Sequence, residues 1–207
     1  MNSLFSKTCW VCVSSLAFAL ACGSSGAGGE PAASPEAPAA SPEAPAAEAT
    51  GAEPATGGEG HAVNVALQAK SGSTLSGNAT LTETPEGVKV ELTVEHVSPG
   101  DHGAHVHEKG DCSAPDGASA GGHFNPASSQ HALPSNEPRH LGDLGNIVVG
   151  ADGTGKIEIV APGANLKEGD PNSFLGKAII VHEKKDDGGQ PTGNAGGRIG
   201  CGEIKSS

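Results

Sequence analysis

The chemistry of this chain is concentrated between His102 and Asp143, where six of its nine histidines lie and a carboxylate closes the run. The segment opens His102-Gly-Ala-His105-Val-His107-Glu108. It continues through Gly121-Gly122-His123-Phe124-Asn125-Pro126 and His131, and ends Arg139-His140-Leu141-Gly142-Asp143. Imidazole nitrogens joined by a carboxylate oxygen form a donor set that zinc and copper accept. The spacing adds to this. His105 and His107 are two apart, so on a strand both imidazoles point to one face and Val106 points to the other, into a core. A strand is a rigid mount for two ligands. His123, His131, His140 and Asp143 follow in a long Gly-, Pro- and Ser-rich segment, and such a loop inside a compact domain is usually functional or tied down. Metal is a physical reason for it to be ordered. The alternative, a solvated His-rich loop, leaves the strand pair and the His-x-x-Asp spacing without a cause.

The elements around this segment read as strands. Val63, Val65 and Leu67 alternate with Asn64, Ala66 and Gln68, and Val88, Val90, Leu92 and Val94 alternate with Lys89, Glu91, Thr93 and Glu95. Both patterns are those of half-buried strands. Residues 74–82 form a weaker strand, and Pro85-Glu86-Gly87 turns the chain. Ile147–Val149 and Lys156–Val160 flank Asp152-Gly153, a hairpin signal. Ala178–Val181 is continuously apolar, as in a strand buried on both faces, and 198–204 closes the chain. No segment has helical periodicity. With 32 Gly, 15 Pro and only 2% aromatic residues, about eight short strands and many turns predict an all-β sandwich or barrel.

The first 60 residues are of another kind. Residues 1–22 carry one charge, Lys7, and a short apolar run from Trp10 to Ala21. That run is short for a bilayer span and resembles the core of a signal peptide. Ala19-Leu20-Ala21-Cys22 resembles a bacterial lipoprotein cleavage box, which implies lipidation of Cys22; plain secretion with cleavage nearby is the alternative. Residues 23–60 repeat Ser-Pro-Glu-Ala-Pro-Ala-Ala at 34–40 and 41–47. They offer no apolar period to bury, so they predict a disordered linker that would reach at most roughly 120 Å as polyproline II. Residues 61–207 are then the folded domain. The formal net charge of −12 argues against nucleic acid as a partner.

Taken in order, the motifs His102–Glu108, Gly121–Pro126, His140–Asn146, Val181–Asp187 and Gly193–Arg198 resemble the copper,zinc superoxide dismutases over about residues 61–207, here as a bacterial, exported, lipoprotein-like member. The resemblance implies a Greek-key β-sandwich or flattened barrel of about eight antiparallel strands, with long metal-binding and active-site loops. It assigns copper to His105, His107, His123 and His182, and zinc to His123, His131, His140 and Asp143, with His123 bridging both metals. It makes Asp186 the carboxylate that links His105 to His131, and Arg198 the cation that docks superoxide beside copper. His102 becomes a loop pin and no ligand. The resemblance also implies a Cys112–Cys201 disulfide, which suits two cysteines left in an oxidising compartment; two free thiols are the alternative.

The implied activity is dismutation of superoxide to dioxygen and hydrogen peroxide, with export to the cell envelope or periplasm and a lipid anchor in a membrane. A copper- and zinc-binding module for metal storage or delivery on the same fold is the second reading; a complete ligand set together with Arg198 favours the enzyme. The oligomeric state, a homodimer included, is not specified by the sequence. Two departures stand out. Ala104 occupies a position that is commonly large in the family. The segment 187–192 is short beside the charged loop of eukaryotic relatives, which leaves anion steering to Lys184, Lys185 and Arg198.

Overall fold

A computed structural model describes residues 61–206. Cys22, the expected signal segment at 1–22 and the expected linker at 23–60 lie outside them. Eight strands follow in order: β1 (Ala62–Ala69), β2 (Ser76–Thr84), β3 (Gly87–Glu95), β4 (Gly100–His107), β5 (Asp143–Val149), β6 (Gly155–Pro162), β7 (Ala178–His182) and β8 (Arg198–Glu203). Among the described residues the single helical piece is a 3-10 turn at Ala118–Ala120. All strand pairs are antiparallel and close a barrel in the order β1-β2-β3-β6-β5-β4-β7-β8.

The period of two produces this directly. Val63, Val65 and Leu67 of β1 and Val88, Val90, Leu92 and Val94 of β3 are all buried, and they meet Ala79 and Leu81 of β2 in one apolar core with Phe174. Each such side chain contributes about 1.5–3 kcal/mol by leaving water. The hairpin expected at Asp152-Gly153 joins β5 to β6: Gly153 sits at φ 78°, and Asp152 Oδ1 accepts from Thr154 N–H. The second strand starts at Ser76, two residues later than its alternation suggests. Ser73 and Thr74 are committed to the preceding turn, where their hydroxyls donate to Ile199 O and His96 O.

The barrel is flattened into two leaves by two thin seams. β8 meets β1 through Gln68–Cys201 and Ala69–Gly200, and β5 meets β6 through Val148–Lys156 and Val149–Gly155. One leaf is β1-β2-β3-β6. The other, β5-β4-β7-β8, carries His105, His107, Asp143, His182 and Arg198. Two loops cover its outer face, 108–142 and 183–197. From His102 onward every residue of β4 is buried: Val106 enters the barrel core, while His105 and His107 point outward beneath the loops. The Cys112–Cys201 disulfide is formed, with Cα atoms 5.8 Å apart, as the family resemblance implies. It ties the first loop to β8.

Candidate metal centre

The histidine-bearing strands depart from regular pairing where the histidines leave them. β4 slips register against β5 between Ala104 and His105, and β7 slips against β8 between Val181 and His182. A bulge of this kind re-aims a side chain out of the pleat. The loop then folds back onto β4: Phe124 N–H donates to Val106 O at 2.8 Å, Val106 N–H to Gly142 O at 2.8 Å, and Gly142 N–H to Phe124 O at 2.9 Å. These bonds bring His123, His140 and Asp143 against the strand histidines.

Two donor sets result. In the first, His105, His107, His123 and His182 offer one ligand atom each, all within 4.8 Å of one another and all from buried residues. Each outer nitrogen is engaged: His105 Nε2–H donates to Asp186 Oδ2 at 2.8 Å, His107 Nδ1–H to Gly121 O at 2.9 Å, and His182 Nδ1–H to Gly196 O at 3.2 Å. That fixes the tautomers and leaves His105 Nδ1, His107 Nε2, His123 Nε2 and His182 Nε2 buried without a partner. Four orphaned acceptors, each costing about 1–3 kcal/mol, have no structural cause except a ligand among them. Burial pushes His105 down to about 4, His107 to about 2 and His182 to about 3, so all three are neutral with free lone pairs at physiological pH.

The second set gathers around Asp143 Oδ1. His123 Nδ1, His131 Nδ1 and His140 Nδ1 lie 3.1, 3.0 and 3.2 Å from it, and His140 Nδ1 lies 3.3 Å from His123 Nδ1. A tetrahedral ion with bonds of about 2.0–2.1 Å separates its ligands by roughly 3.3 Å. His131 Nδ1 reaches Asp143 without hydrogen-bond alignment, as two atoms facing a common third point would. His105 also falls within reach of this group by distance. Its Nε2 is held by Asp186, however, and its free Nδ1 belongs with the first set, so His140 is the better fourth member. Burial raises Asp143, but His123, His131, His140 and the Ala132 N–H outweigh it and hold the carboxyl below the ordinary carboxylate range. The two sets share His123, one nitrogen in each.

Asp186 spans the sets from behind. Its carboxylate accepts His105 Nε2–H at 2.8 Å and His131 Nε2–H at 2.9 Å. Burial raises its pKa, and these bonds with the Gly188 N–H more than reverse that, holding it well below the ordinary range. Arg198 donates Nη1–H to Gly117 O at 2.7 Å and Nη2–H to Gly121 O at 2.6 Å. Gly121 O thus accepts from both His107 and Arg198, which aligns the guanidinium with the first donor set. His102 Nδ1–H donates to His182 O and its Nε2 sits 2.9 Å from Ser98 O, a pin between loops. Lys185 is paired with Asp101 at 2.9 Å, which spends its charge away from an incoming anion. His61 and His96 are exposed and stand apart from both sets.

Some contacts had no signal in the sequence, although Asn146 itself closes one of its motifs. Asn146 exchanges two bonds with the Asp186 backbone, Nδ2–H to Asp186 O at 2.9 Å and Oδ1 from Asp186 N–H at 2.7 Å. The side chain of Lys70 is buried and donates to Cys112 O. Gln190 grips the His131 peptide. These partners are backbone groups, and backbone acceptors cannot be read from residue types.

A buried His/Asp centre with two donor sets sharing one imidazole, carried outside a closed β-barrel, defines a class of protein able to bind two metals. The sequence profile of the copper/zinc superoxide dismutase (SODC) family matches residues 75–204. The Cu-Zn superoxide dismutase of Caulobacter vibrioides is 43% identical over 136 residues, 63% of this chain and 78% of its own. The extracellular Cu-Zn superoxide dismutase of Brugia pahangi is 38% identical over 157 residues, 70% of this chain and 77% of its own. Among solved structures, a SOD-like protein from Bacillus subtilis is 37% identical with a TM-score of 0.62, over 70% of this chain and 98% of that one. The clock protein EA4 is 37% identical with a TM-score of 0.64, over 72% and 97%. The chain belongs to the copper/zinc superoxide dismutase family; it is a superoxide dismutase with copper and zinc as its cofactors.

Proposed function

We propose that the chain dismutates superoxide with copper held by His105, His107, His123 and His182 and zinc held by His123, His131, His140 and Asp143. The observation that carries this is the set of four buried, partnerless imidazole nitrogens adjoining a second group of closely spaced donors that shares His123. When bound, copper supplies the one-electron redox chemistry by which one superoxide leaves as dioxygen and a second as hydrogen peroxide, beside a zinc that has no redox chemistry of its own. The protein's part is to hold and to deliver. Arg198 presents a fixed guanidinium to the anion. His123 Nε2 takes up a proton in one half of the cycle and releases it in the other to the departing peroxide, whose second proton comes from solvent. On the Nδ1 side, His131, His140 and Asp143 would hold zinc against that ring, so the ring returns to the same place.

Elemental analysis after equilibration with both metals should give one copper and one zinc per chain, and the loaded protein should accelerate superoxide decay. Full copper loading without acceleration would favour metal storage or delivery instead. Zinc near zero would overturn the second set.

The same reading places the domain outside the cytoplasm, supported by the disulfide and by the extracellular relative. It tethers the 61–207 domain through the 23–60 linker to lipid on Cys22, at a membrane of the cell envelope. Cys22→Ser should release the protein to the soluble fraction or leave it unprocessed. Unchanged processing and membrane association would reject lipidation.

A further inference from the structure

The short segment 187–192, a departure from the longer loops of eukaryotic relatives, has a use in this structure. His131 is 2% exposed, and three of its four polar atoms are met from one side. Its Nε2–H goes to Asp186 Oδ1 at 2.9 Å. Its backbone N–H donates to Gln190 Oε1 at 3.2 Å, and its backbone O accepts from Gln190 Nε2–H at 2.6 Å. The fourth atom, Nδ1, faces Asp143. Gly193 approaches so closely that an added Cβ would lie 2.7 Å from His131 Nε2 and 2.0 Å from Asp186 Oδ1. The hydrogen bonds that His131 itself makes therefore all come from Asp186 and Gln190.

The primary amide of Gln190 imitates a strand neighbour, giving one donor and one acceptor to the two backbone groups of a single residue. A carboxylate could not make both bonds, because it has no donor. Asparagine is one methylene shorter. The backbone of this segment is also fixed at both ends: Gly188 N–H donates to Asp186 Oδ1 at 2.8 Å and Gly193 N–H to Gly189 O at 2.6 Å.

We infer that Gln190 is a positioning residue for the zinc ligand His131, clasping its peptide so that Nδ1 is held at the second donor set before metal arrives. The inference rests on the ligand reading above. It adds a coupling: zinc uptake and the order of the loop leading to Arg198 are linked through this clasp, and each stabilises the other.

The test is made on the full chain, with zinc affinity measured by competition against a chelator of known strength. Cobalt(II) placed in the zinc site reports ligand geometry by its visible absorption. Gln190→Ala should weaken zinc by about tenfold, the lower end of what loss of a ligand's outer partner costs. It should also shift the cobalt bands, with copper content unchanged. Thr192→Ala, exposed in the same loop, should leave both as in wild type. Gln190→Glu should restore only part of the affinity. Backbone hydrogen exchange at His131 should speed up in Gln190→Ala even in metal-free protein. Wild-type zinc affinity and cobalt bands in Gln190→Ala would overturn the inference while leaving the ligand set standing. Failure of the wild-type chain to take up zinc would overturn the ligand set, and the inference with it.

Discussion

At the scale of single residues, the centre is decided by which nitrogen of each imidazole is occupied from behind. Asp186, Gly121 O and Gly196 O each claim one, and the lone pairs that remain converge. Arg198 is set apart because it donates only to carbonyls and so keeps its charge uncompensated by a carboxylate contact. Arg198→Glu should therefore cost turnover while copper stays bound. At an effective dielectric near 20, one unit pair about 5 Å apart is worth roughly 3 kcal/mol before screening. With solvent and salt that becomes a loss of about ten- to a hundredfold. Arg198→Lys, which keeps the charge but loses the two-pronged bond to Gly117 O and Gly121 O, should fall between. Superoxide decay at two ionic strengths, with copper content verified, reads the effect: the wild-type rate should fall with salt and the Glu variant's should not. A copper-loaded Glu variant with wild-type rate and salt response would remove Arg198 from anion docking.

At the scale of elements, the centre depends on a loop that must pass very close to β4. Gly142 sits at the crossing, and an added Cβ would lie 2.3 Å from Val106 O. Gly142→Ala should destabilise by about 1–3 kcal/mol, as overpacking does, and should lower zinc content by displacing His140 and Asp143. Gly122→Ala, in the same loop with nothing within 4 Å of the new carbon, should be nearly neutral. Denaturant midpoints with zinc analysis distinguish the two, and equal effects would refute the account. The strands themselves were legible, because alternation in β1 and β3 and the apolar run in β7 encode burial directly. So was the pairing of His105 and His107 on one face. The order in which the strands close was not, since register depends on partners remote in sequence. Nor were the bulges at His105 and His182, where β4 slips against β5 and β7 against β8. The positions of His123 and His140 in a loop could be matched to family motifs and that of His131 only to the family's ligand set, and no periodicity specifies them.

For the whole molecule, the metal-free protein should be acid-sensitive well above the range where carboxylates titrate. In the unfolded chain His105, His107 and His182 bind protons near pH 6.5; folded, burial delays this to about 4, 2 and 3. Between those limits the unfolded state holds more protons. Stability is thus complete above about pH 6.5 and is lost as pH falls through the window toward 4, by up to about 1.4 kcal/mol per pH unit for each imidazole. Melting of the metal-free chain at pH 7, 6 and 5 should show a falling midpoint, and bound metal should oppose the fall by competing with those protons. A midpoint constant from pH 7 to 5 would mean that the imidazoles are not desolvated as described.

The thin β1–β8 seam gives the folded domain a defined mechanical weakness. β1 and β8 run antiparallel with the two chain ends on the same side, so a pull on residues 61 and 206 peels Gln68–Cys201 and Ala69–Gly200 apart one after the other instead of shearing them together. In the oxidised chain the load that reaches Cys201 crosses the covalent bond to Cys112, and the intervening segment, a sequence separation of 89, never bears it. At about 3.3–3.6 Å per extended residue, that segment amounts to roughly 300 Å of slack withheld from the stretched molecule. Force–extension traces in an optical trap should show a first rupture at low force in both redox states, and a total extension longer by that amount once the protein is reduced.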